Sequence, residues 1–118
     1  MTPLNIKCHS FICDGTDENL ILADAKYFFG IDVFSLNDAP VYAKVYSKTT
    51  APTEADTPIH RTGCPANSTA ANGAGSNKGP WYHYISVNGI GIRVVKGIAD
   101  NNDTASDASE VIVNVYYA

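Results

Sequence analysis

The side chains able to carry chemistry are few and scattered. Three histidines (His9, His60, His83) and three cysteines (Cys8, Cys13, Cys64) are the available metal ligands, bases and nucleophiles. Cys8-x4-Cys13 is a loose ligand spacing, and no second pair of knuckles follows it, whereas a structural zinc site needs four well-placed ligands. An odd cysteine count without a visible signal sequence also argues against a disulfide framework. The expectation is reduced, buried thiols on strands, with Cys8 on a β face. His83, in the run Trp81-Tyr82-His83-Tyr84, reads as a packing or surface residue rather than a base. The three glutamates (Glu18, Glu54, Glu110) show no pairing of the kind a two-carboxylate hydrolase requires. The glycine-rich run from Gly73 to Gly79 lacks the P-loop pattern and the following helix whose N-terminus would meet a phosphate. Asp100, Asp103 and Asp107 offer oxygen ligands for calcium, but the loop lacks the central glycine and bidentate glutamate of an EF-hand. A solvated turn is expected there. The reading is therefore a non-enzyme with no catalytic, cofactor-binding or metal-binding residues.

The tyrosines are the more suggestive feature. Tyr42 and Tyr46 share the outward face of one expected strand, and Tyr82 and Tyr84 share a face of another. Tyr116 lies in the closing strand. Aromatic side chains bury large areas while keeping a polar handle, which suits interfaces, although cross-strand pairing on a half-exposed sheet uses them equally well. Tyr42, Tyr46, Trp81, Tyr82, Tyr84 and Tyr116 are the candidate interface residues.

These residues sit in a chain with almost no helical periodicity and many stretches of period two. Strands are expected over 5–12, 20–23, 26–34, 41–46, 59–62, 81–87, 90–96 and 111–117. In the third, Tyr27, Phe29, Ile31 and Val33 share one face, and Gly30 marks a bulge or a close neighbour. In the fourth, Val41, Ala43 and Val45 alternate with Tyr42, Lys44 and Tyr46. Asn88-Gly89 predicts a type I′ hairpin between the sixth and seventh. Residues 66–79 are low in complexity and read as the most mobile internal stretch. The expected fold is all-β: an antiparallel β-sandwich or jelly-roll-like arrangement of seven to eight short strands.

The chain of 118 residues is short enough for one domain, and its net charge is −4, with its eight basic residues placed singly. No basic stripe is present for a nucleic acid, and no apolar run approaches the ~20 residues of a membrane span.

Residues 42–58 (YAKVYSKTTAPTEADTP), 88–93, 97–104 and 111–117 resemble, in order and spacing, segments of small virion proteins of tailed bacteriophages. The resemblance runs over about 26–118. It departs at residues 61–66, in the 66–79 stretch and in the Trp81-Tyr82-His83-Tyr84 run. It implies a β-sandwich structural protein of the particle: a capsid decoration or cement subunit that binds the major capsid protein and stabilises the shell. The implied partners are that protein and further copies of the chain, with a trimer favoured. The implied place is the capsid surface, after synthesis in the bacterial cytoplasm. A tail- or fibre-associated module binding a host receptor or adaptor is the alternative. Residues 1–25 lie outside the resemblance and are expected to form an N-terminal strand or arm at an interface.

Overall fold

The computed structural model describes residues 5–16, 18–67, 74–80 and 84–118. Among the described residues, nine strands form two antiparallel sheets that pack face to face. They are β1 (Lys7–Ile12), β2 (Glu18–Leu22), β3 (Tyr27–Ser35), β4 (Val41–Tyr46), β5 (His60–Cys64), β6 (Ala74–Lys78), β7 (Ile85–Ser86), β8 (Ile90–Val95) and β9 (Val111–Tyr117). The first sheet has the order β1-β9-β3-β6, with β7 also on β3; the second has β2-β8-β4-β5. The segment expected as an arm thus supplies β1 to one sheet and β2 to the other.

Alternation explains the sandwich. Val111, Val113 and Val115 of β9 and Ile31 and Val33 of β3 face inward from one sheet. Val41, Ala43 and Val45 of β4 and Ile90, Ile92 and Val94 of β8 meet them from the other. β-branched side chains fit a pleated surface, and burying each large one contributes about 1.5–3 kcal/mol.

Gly30 reconciles β3 with its partners. The register against β9 shifts between Phe28 and Gly30, and Gly30 has φ +137°. A Cβ there would run into the Lys78 carbonyl oxygen and lie 2.6 Å from Gly79 Cα. The bulge also changes which residues share a face. Phe28 joins Ile31 and Val33 in the core, while Phe29 packs near Tyr84 on the other side. The expected grouping of Tyr27 and Phe29 with Ile31 and Val33 is therefore corrected by the extra residue.

Three further expectations change. Asn88-Gly89 is not a hairpin turn, because β7 pairs with β3 while β8 pairs with β2 and β4. Only Gly89 of the two has a positive φ, +83°, and its position is fixed by contact with the Lys48 backbone. The turn carries the chain from one sheet to the other. Within 66–79, residues 74–78 form β6 along the edge of β3. This pairing is a backbone ladder and needs little from the small side chains of the segment. Residues 68–73 lie outside the described residues. Finally, Lys44 and Tyr46 do not point into solvent: they are 0% and 1% exposed, Lys44 reaching the loop after β8 and Tyr46 meeting Arg93.

Candidate interaction surface

The six aromatic residues singled out from the sequence do not form one patch. Tyr42 is half-buried on β4, its ring lying over Gly63 of the neighbouring strand. Tyr46 is enclosed by the fold, and its hydroxyl accepts a hydrogen bond from Arg93 Nη1 at 3.1 Å. Both belong to the second sheet. Tyr84 and Tyr116 belong to the first sheet's side of the sandwich. Tyr84 is 48% exposed and meets Tyr27 edge-on at 4.6 Å and Phe29 at 5.7 Å. Tyr116 is half-buried and donates to Asp32 Oδ2 at 2.6 Å. Trp81, Tyr82 and His83 lie outside the described residues.

Arg93 and Lys44 lie opposite each other on adjacent strands, and both are 0% exposed. Two buried cations need oxygen partners, and residues 97–104 supply them from the backbone. Lys44 Nζ donates to the Ala99 carbonyl, Arg93 Nη2 to Asn102 O at 2.7 Å, and Arg93 Nη1 to Asp100 O at 3.4 Å. Burial and the neighbouring Arg93 charge push the Lys44 ammonium below its usual range. Arg61 then holds Asp100 through paired bonds of 2.6 and 2.7 Å, fixing the loop over the cations. Asp107 pairs with Lys96 at 3.0 Å. Two of the three acids considered for calcium are thus turned toward cationic side chains. Among the described residues no group of three His, Cys, Asp or Glu side chains is placed to hold a metal.

The cysteines and histidines are dispersed. Cys8 is exposed, Cys13 and Cys64 are buried, and none of the three is in a disulfide among the described residues. Burial pushes the Cys13 thiol up to about 11, which keeps it protonated and unreactive near neutral pH. His60 lies 5.6 Å from the Phe28 ring, 2.9 Å from Thr62 Oγ1, and its burial lowers its proton affinity. His9 lies beside Phe11 on β1.

A surface that the tyrosine reading missed runs across the outer face of the first sheet. The registers place Ile12, Ile112 and Phe34 in one row across β1, β9 and β3. They are 58%, 42% and 43% exposed, and Leu36 beside them is 45% exposed. A largely apolar groove of about 230 Å³ lies along Phe34, Leu36, Ser109, Glu110 and Ile112. The next row, Ser10, Asn114, Asp32 and Asn77, is polar. The sequence signal was an apolar residue at the out-of-phase position of each strand: Ile112 among inward valines, and Phe34 after Val33.

No family model, no curated protein and no solved structure matches this chain.

Proposed function

We propose that the chain is a non-enzymatic structural subunit of a tailed-phage particle, a decoration or cement protein that binds the major capsid protein shell and stabilises it. Besides the sequence resemblance, the strand order supports this reading. We read sheets ordered β1-β9-β3-β6 and β2-β8-β4-β5 as a jelly-roll-like arrangement, the double-sheet type used by viral capsid and lectin domains. Fold likeness alone does not assign function. The observation that carries the reading is the exposed apolar row of Ile12, Ile112, Phe34 and Leu36 on the first sheet. Such a surface calls for a partner. Covering it removes apolar area from water at roughly 25 cal/mol per Å², and binding that joins only the folded chain to the assembled shell stabilises both.

The test is add-back of purified chain to shells that lack it. Saturable binding and a higher rupture temperature are expected, and Phe34→Asp or Ile112→Asp should weaken binding by at least about tenfold. Binding confined to the tail would favour the adhesion alternative, and no binding to either would overturn the particle reading.

A further inference from the structure

We propose that β1 is a self-pairing edge, through which two copies of the chain join their first sheets across a two-fold axis. The inference rests on the particle reading for its context and names a surface for the self-association that the sequence resemblance implies. It concerns the isolated chain, so the two readings fail separately.

β1 pairs with β9 on one side, and among the described residues no strand occupies its other side. Folds usually guard such edges with bulges, prolines or charges. The second sheet's edges carry these devices: β2 breaks register between Glu18 and Leu20, and β5 presents Arg61 and is followed at once by Pro65. The far edge of the first sheet is divided between β6 and β7. β1 keeps unbroken register over its six residues, contains no proline, and carries one charged side chain, Lys7, at its end.

The direction of its free hydrogen-bonding groups follows from one bond. Cys13 N–H donates to the Val111 carbonyl, so the odd-numbered residues address β9. In an extended strand the alternate residues then turn their N–H and C=O outward. These are Cys8, Ser10 and Ile12, whose side chains lie on the sheet's outer face, the face of the apolar row, and extending the strand by one residue brings Ile6 into the same phase.

The strand is self-complementary about His9. An antiparallel pair with His9 opposite its own copy sets Ile12 opposite the second copy's Ile6, and Ser10 opposite its Cys8. Ile6 is 46% exposed and Ile12 58% exposed, so the two large apolar residues otherwise left to water cover each other twice by symmetry. Every outward N–H and C=O from Ile6 to Ile12 gains a partner. The row Phe34, Ile112, Ile12 continues into the second copy as Ile6. Shifting the register by one residue would place opposite faces against each other. Shifting by two would leave an isoleucine opposite Cys8 or Ser10. An isologous pairing of this kind closes at two copies, not the three expected from the sequence.

Two variants of the full chain test the surface. Directly opposed residues in such a ladder have Cα atoms about 5.5 Å apart, within disulfide range. Ser10→Cys under mild oxidation should give a covalent dimer whose peptides link position 8 to position 10 of the other copy. Ser10→Pro should abolish the dimer seen in sedimentation while leaving the circular dichroism and β9 ladder intact, because the lost N–H points outward. A chain that sediments as a monomer or trimer at high concentration overturns the proposal. So does a Ser10→Cys dimer linked 8 to 8 or 10 to 10, or a Ser10→Pro variant that is folded and still dimeric.

Discussion

Tyr116 and Asp32 show how one bond can be read by titration. The Tyr116 hydroxyl donates to Asp32 Oδ2, and that bond, with some burial and the carboxylate's charge, pushes the phenol up to about 12. Asp32→Asn should bring Tyr116 back toward 10, followed by carbon NMR with Tyr116→Phe for assignment. A folded-state value raised above the unfolded one contributes stability that is complete below about pH 10 and is lost as pH rises through about 12. Wild type should therefore lose stability between those values more steeply than Asp32→Asn. Equal slopes would show that the bond contributes nothing in solution. Gly30 is the residue most fully legible in the sequence: a glycine inside a strand of large side chains signalled a bulge or a close backbone, and both are present. Tyr46 was the least legible, because alternation assigns a face but not what covers it.

At the level of elements, the loop 97–104 and the pair Lys44 and Arg93 form one unit. Arg93 serves Tyr46, Asp100 and Asn102. Removing it leaves buried acceptors without a donor, so Arg93→Met should cost about 3 kcal/mol in urea unfolding. Lys44→Met removes a buried charge that faces another cation and should change stability by less than about 1 kcal/mol in either direction. Similar large losses in both would show that the loop depends on the two cations equally. The long strands were legible because tertiary packing agrees with local alternation: β4 and β9 begin and end where period two predicts. β6 was not, since its pairing relies on the backbone edge of β3 and its residues, AGSNK, have little strand preference. The Asn88-Gly89 turn misled for a related reason. A short-range turn signal is silent about which sheet the following strand enters, and the inner faces of both sheets decided that.

Over the whole molecule, charge and apolar surface are segregated. The buried cations lie behind the loop on the second sheet, while the first sheet exposes Ile12, Ile112, Phe34 and Leu36 together. The core was readable from composition and period, but the exposed row required the registers of β1, β9 and β3, which no single strand contains. That row underlies both the proposed shell contact and the paired edge, since pairing through β1 adds the second copy's Ile6 to its end. The central claim is that this surface holds the chain on a particle in many copies. Quantitative mass spectrometry of purified particles, scaled to the major capsid protein, tests it most directly. The account predicts a ratio near one or a simple fraction of it. A ratio in the low per cent range, or absence from the particle, would contradict it.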